Sequence, residues 1–216
     1  MNANGSFRLV VLISGRGSNL QAIIDGVRQG RLNLDIPLVV SNRPAAAGIQ
    51  LARNAGLEVA VVDHRDFPDR GEFEIALWRQ IDSADPDLIV LAGFMRILSA
   101  AFVHRYQGRM VNIHPSLLPR YTGLDTHQRV LEAGDEETGA SIHFVTPELD
   151  SGPVISQVRL AVEADDTPDT LAARLLPLEH QLMLASLELF TNHSVQLRDD
   201  QVYIDETPVQ QPIQLG

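Results

Sequence analysis

Five short apolar runs, spaced by stretches of helical periodicity, constrain this chain more than any other feature. Arg8–Ile13, Pro37–Val40, Leu57–Val62, Leu88–Ala92 and Met110–His114 are each four to six residues long and mostly apolar. A run of that length and character reads as a strand covered on both faces, which is the habit of parallel sheets. The intervening segments Leu20–Val27, Pro44–Ala55, Gly71–Ser83 and Ser99–Tyr106 read as helices, with Gly56 closing the second and Ser99 capping the last. Strands alternating with helices predict an α/β fold: a single doubly wound, mostly parallel sheet with helices on both faces.

The pattern changes after residue 115. Ala140–Val145 and Val154–Val162 are expected strands joined by an irregular loop, and Thr167–Asn192 an expected long helix opened by Thr167-Pro168. Pro177 inside that helix predicts a kink or a break. Val195–Ile204 is expected as a hairpin and Glu206–Gly216, with two prolines and no periodicity, as a loose tail. No repeat or linker divides the 216 residues, so one domain is expected over 1–216, with its core at about 7–192. The opening Met1–Phe7 has neither a basic segment nor an apolar run, so no leader is expected, and no apolar stretch reaches membrane-spanning length. A cytoplasmic protein is the expectation.

Composition removes several chemistries. There is no cysteine, which excludes thiolate metal sites and cysteine nucleophiles. All 17 basic residues are arginine, so Schiff-base chemistry and the P-loop lysine are excluded as well. With 28 acidic residues the net charge is −11, which argues against nucleic acid as a main partner.

The first strand ends in Ser14-Gly15-Arg16-Gly17-Ser18-Asn19, directly before a helix. Such a turn aims backbone N–H groups and the helix dipole at an anion. Leu20 stands where a dinucleotide fingerprint needs its third glycine, and Ser41-Asn42 end the second strand where that fingerprint needs an acid. A phosphate monoester fits better than a dinucleotide; a plain strand-to-helix turn is the other reading.

Asn112-Ile113-His114-Pro115 closes the fifth strand. Residues two apart on a strand point the same way, so Asn112 and His114 share a face with Cα atoms roughly 6.6–7 Å apart. Pro115 holds His114 extended. A carboxamide beside an imidazole at the carboxyl end of a strand suits a developing oxyanion and a proton transfer, or it is a polar pair ending a strand. Asp150, in the loop Glu148–Pro153, is either turn chemistry or the carboxylate that orients His114. The other histidines show no metal spacing, and Asp135-Glu136-Glu137 reads as a solvated turn.

Taken in order, VLISGRGSNL (11–20), LAGFMRIL (91–98), NIHPSLLP (112–119), GASIHF (139–144) and ELDSGP (148–153) resemble the phosphoribosylglycinamide formyltransferases, over about Phe7 to Asn192. The resemblance implies a Rossmann-like formyltransferase fold and transfer of a formyl group from 10-formyltetrahydrofolate to the amino group of 5-phosphoribosylglycinamide, a step of purine synthesis. It assigns catalysis to Asn112, His114 and Asp150. It assigns phosphoribosylglycinamide binding to Gly17, Ser18, Asn19 and Glu179, and folate binding to Arg70, Met95, Arg96, Ile97, Leu98, Asn112 and His143. It implies small-molecule partners, no metal, no membrane, and a monomer or weak homodimer. Arg16, Thr122 and Asp125 depart from the family's usual residues, in the phosphate loop and the segment after the fifth strand. Methionyl-tRNA formyltransferase, formyltetrahydrofolate hydrolase and a non-catalytic folate- or phosphate-binding relative share the same core and remain the alternatives.

Overall fold

The computed structural model describes residues 6–215. The expectation for Met1–Gly5 lies outside them, as does Gly216. The chain divides into two compact units, with the boundary between Asn112 and Ile113.

In the first unit, β1 (Phe7–Ile13), β2 (Leu34–Ser41), β3 (Val59–Val61), β4 (Leu88–Leu91) and the start of β5 (Met110–His114) form the expected parallel sheet in the order β3-β2-β1-β4-β5. Leu9 to Ile13, Val39, Val40, Ile89 and Val90 are fully buried, as uninterrupted apolar strands require. Helices α1 (Ser18–Arg28), α2 (Ala47–Asn54), α3 (Arg70–Ser83) and α4 (Ala100–Arg105) connect the strands. β2 starts three residues earlier than expected and runs through Pro37. The β1–β2 register slips between Arg8 and Val10, opposite this point, and β3 pairs only with Val39 to Ser41. Pro37, which has no N–H to give, is thus kept out of the regular ladder. β3 is shorter than expected, and Gly56 terminates α2 with φ +81° as expected.

The sheet order reverses between β1 and β4: β2 and β3 lie on one side of β1, β4 and β5 on the other. The loops leaving β1 and β4 therefore diverge, and the crevice at such a switch point is where open α/β sheets take ligands.

In the second unit, β6 (Glu137–Phe144) and β7 (Val154–Ala161) are antiparallel. Helix α6 (Pro168–Asn192) packs on both. Thr167 and Thr170 exchange capping hydrogen bonds at its start, and Pro177 does not break it. A helix α5 (Thr126–Ala133) has no counterpart in the expected elements; its eight residues bury only Thr126 and Val130, too little apolar periodicity to read. The expected hairpin is β8 (Val195–Arg198) and β9 (Gln201–Ile204), turned through Asp199 and Asp200 at φ +48° and +57°.

Two expectations are corrected here. The tail is not loose: β10 (Thr207–Pro208) pairs with β9, and β11 (Ile213–Leu215) lies parallel to β7. An edge strand leaves a row of unpaired backbone groups, and the tail satisfies them without any side-chain pattern. Asp135-Glu136-Glu137 is a solvated turn only in part: Glu136 and Glu137 are exposed, but Asp135 accepts from the Tyr121 hydroxyl at 2.6 Å and pairs with Arg120, while Glu137 begins β6 and pairs with Arg159 at 2.8 Å. No described helix is long and apolar enough to cross a membrane.

Candidate active site

The first unit supplies two loops at its switch point. Ser14 directly follows β1 and is buried. Its hydroxyl accepts from the Met95 amide at 2.7 Å and donates to Asn42 Oδ1, while its amide donates to Gly93 O at 3.1 Å. One side chain thus ties the loop after β1 to the loop after β4. Gly17 caps α1 in the left-handed region, at φ +78° and ψ +30°. A Cβ there would stand 2.9 Å from Gly48 Cα, so glycine is required by the backbone and by the approach of α2. The first bond inside α1 runs from Gln21 N–H to Gly17 O. The amides of Ser18 and Leu20 precede it, and the first turn of a helix directs such donors outward, where an anion can meet them.

Met95 and Ile97 are more than half exposed, while Phe94 and Leu98 are buried, so the loop after β4 presents apolar side chains outward from a packed base. Arg96 lies over the Phe73 ring, 5.9 Å from its centroid. Arg70 is exposed in the first turn of α3. Asn112 faces Leu91 across the β4–β5 ladder and is engaged in an interaction of its own.

The second unit brings together three of the expected residues. His114, at the end of β5, is 6% exposed. Its Nε2 lies 2.8 Å from Tyr121 O and its Nδ1 3.4 Å from Asp150 Oδ2. Asp150 occupies the left-handed region at φ +49°, which aspartate tolerates, and its Oδ2 also accepts from the Gly123 amide at 2.8 Å. Gly152 allows this placement. A Cβ there would fall 1.8 Å from Phe144 O, so only glycine lets the loop close over the end of β6.

His143 is buried with Nδ1 2.9 Å from Phe144 O and Nε2 3.8 Å from Asp150 Oδ1. Burial pushes its pKa down to about 4, against the smaller opposing effects of the Phe144 carbonyl and the Asp150 charge. It is neutral at pH 7, with its Nδ1–H given to Phe144 O and its Nε2 lone pair toward Asp150. Glu179 is half-buried on α6 and has a partner.

The segment after His114 is held by buried polar groups. Ser141 Oγ donates to Ser116 O at 2.7 Å and accepts from the Leu118 amide at 3.1 Å, and Gln157 Nε2 donates to Leu118 O at 2.9 Å. Three participants were not legible in the sequence. The Tyr121 carbonyl and the Gly123 amide are backbone atoms, invisible in residue types. His127, on α5, is half-buried with its Nδ1 unpartnered, and burial and then the neighbouring His114 lower its pKa. A helix at 126–133 would have been the signal. Thr122 O accepts from Arg129 at 2.6 Å, and Asp125 caps α5 at φ +56°. No group of three or more metal-ligating side chains occurs among the described residues.

Chemically, an imidazole with a carbonyl on one nitrogen and a carboxylate near the other is fixed in orientation at both nitrogens, and an imidazole so placed can exchange a proton with a bound molecule. Comparison with known proteins gives the family. The formyl transferase family model matches residues 7–187. Phosphoribosylglycinamide formyltransferase of Escherichia coli is 46% identical over 197 residues, 91% of this chain and 93% of that protein. The trifunctional purine biosynthetic protein adenosine-3 of Drosophila melanogaster is 45% identical over 86% of this chain, which spans 14% of that longer protein. The solved phosphoribosylglycinamide formyltransferase of Coxiella burnetii superposes with a TM-score of 0.92 at 47% identity, covering 98% of this chain and 100% of the other. The chain belongs to the formyl transferase family.

Proposed function

We propose that this protein transfers the formyl group of 10-formyltetrahydrofolate to the amino group of 5-phosphoribosylglycinamide, giving the N-formyl product and tetrahydrofolate in purine biosynthesis. The observation that carries the reading is the His114–Asp150 pair, with Asn112 two residues before His114 on β5.

The substrate amine attacks the formyl carbon and a tetrahedral oxyanion forms. The Asn112 carboxamide and the His114 imidazolium stabilise that oxyanion, a role preorganised donors perform without reorganisation. The carbon–nitrogen bond to the folate then breaks as its nitrogen gains the proton that the amine loses, with His114 as the shuttle. Asp150 compensates the imidazolium charge and orients the ring. Gly17, Ser18 and Asn19 hold the ribose phosphate, and Glu179 the glycinamide end. Met95, Arg96, Ile97, Leu98, Asn112 and His143 serve the folate ring, with Arg70 toward its acidic tail. No step calls for a metal.

Mixing the protein with both substrates and following tetrahydrofolate release tests the proposal; no release overturns it. The methionyl-tRNA alternative is separated by adding tRNA at physiological salt. With a net charge of −11, no binding is expected, whereas salt-sensitive binding at micromolar protein favours the alternative.

A further inference from the structure

We propose that Glu74 is a positioning residue for the folate-lining segment Met95–Leu98, acting through Ser99. Glu74 lies on α3, four residues after Arg70 and outside the five motifs quoted above, and a carboxylate only 3% exposed needs a reason. Its Oε1 accepts from the Ser99 amide at 2.7 Å, and its Oε2 accepts from the Ser99 hydroxyl. Ser99 is the residue that ends the segment and caps α4, its Oγ accepting from the Phe102 amide at 3.2 Å.

Residues 94–98 belong to neither helix nor strand, so no ladder of backbone bonds sets their course. What sets it is an anchor at each end. Met95 N–H is held by Ser14 Oγ at 2.7 Å, and Ser99 is held by the Glu74 carboxylate. Between the anchors, Arg96 rests over Phe73, the residue preceding Glu74, so α3 supports the segment twice. Hydrogen bonds to an ionised acceptor are about twice as strong as neutral ones, and a two-point grip on both the amide and the hydroxyl of one residue fixes orientation as well as position. The exposed Met95 and Ile97 side chains are thereby presented without being buried themselves. The two anchors differ in reach. Ser14 also borders the phosphate loop, whereas the Glu74 contacts lie only on the far end of the Met95–Leu98 segment.

The inference rests on the reading of Met95–Leu98 as the folate segment, and the experiment separates the two. Steady-state kinetics with each substrate varied are measured for Glu74→Gln, which keeps the shape and loses the charge, and for Glu74→Ala. The KM for 10-formyltetrahydrofolate rises about threefold to tenfold in Glu74→Gln and more than about tenfold in Glu74→Ala. The KM for phosphoribosylglycinamide stays within about twofold, and kcat at saturating folate is retained, the signature of lost binding rather than lost chemistry. A purely structural role would lower the melting temperature and leave both KM values unchanged or move them together; either pattern overturns the proposal. If Glu74→Ala does not fold, the Gln variant alone decides by the same criteria. Ile97→Ala is the control. If it leaves the folate KM unchanged, the segment reading fails and the proposal with it; if it raises that KM while the Glu74 variants do not, only the role of Glu74 falls.

Discussion

His114 Nε2 is 2.8 Å from the carbonyl oxygen of Tyr121. A carbonyl can only accept, so this nitrogen carries a proton. The ring's Nδ1 lies 3.4 Å from Asp150 Oδ2. The Tyr121 carbonyl and the Asp150 carboxylate thus orient the same ring from its two nitrogens, and the loop that carries Tyr121 also supplies the Gly123 amide that holds Asp150.

Replacing Asp150 with Asn keeps the shape, since the amide oxygen can still accept from Gly123, but removes the charge. Turnover is expected to fall by about 10²–10⁴, the range for lost acid–base catalysis. His114→Ala is expected to be as severe, and the double variant little worse than either, because groups that act as a unit are not additive. Paired turnover and folate-binding measurements check this. Near-normal turnover in Asp150→Asn, or fully additive losses, would refute the mechanism.

Gly17→Ala is expected to cost about 1–3 kcal/mol of stability, from the left-handed backbone and the crowding against Gly48. Chemical denaturation reads this directly. The surviving folded protein should show a raised KM for phosphoribosylglycinamide and a smaller change for the folate, because the displaced amides are those of the α1 start. Equal effects on both substrates would mean the loop serves neither specifically.

The buried His143 should make the protein acid-sensitive. Its pKa is about 4 when folded and near 6.5 when exposed, so between these values the unfolded chain binds the extra proton. Its contribution is complete above about pH 6.5 and is lost as the pH falls toward 4, amounting to about 3 kcal/mol at most. His143→Asn keeps a donor for Phe144 O and cannot titrate. Denaturation of both proteins at pH 7, 5.5 and 4.5 should show a steeper decline for the parent. Parallel curves would show that burial of His143 does not govern acid stability.

Removing residues 212–216 strips β11 from the edge of β7 and exposes the row of backbone groups it pairs with. A fall of several degrees in melting temperature is expected, about 1–2 kcal/mol in a domain of this size, together with concentration-dependent association through the bare edge. Light scattering and thermal melts on the truncated chain test both. An unchanged melting curve would show that β11 adds nothing to the fold.

Much of this protein was legible in one dimension. Runs such as Leu9–Ile13 and Leu88–Leu91 declare parallel strands because burial on both faces demands unbroken apolar sequence, and the period-two geometry of a strand puts Asn112 beside His114 from spacing alone. The glycines at 17 and 152 sit in motifs that sequence singles out, for backbone reasons that glycine alone satisfies. The rest depended on groups far apart in the chain or on atoms that every residue shares. Asp150 meets His114 across 36 residues, and Glu74 grips Ser99 across 25, contacts whose loop-closure cost is met only once the surrounding sheet and helices have folded. The Tyr121 carbonyl, the Gly123 amide and the edge of β7 are backbone, so no residue type announces them. Local pattern determined which elements form and where the chemistry-bearing side chains begin; tertiary packing decided which acceptor faces which nitrogen, because that choice depends on directions and distances of a few ångströms that no spacing along the chain encodes.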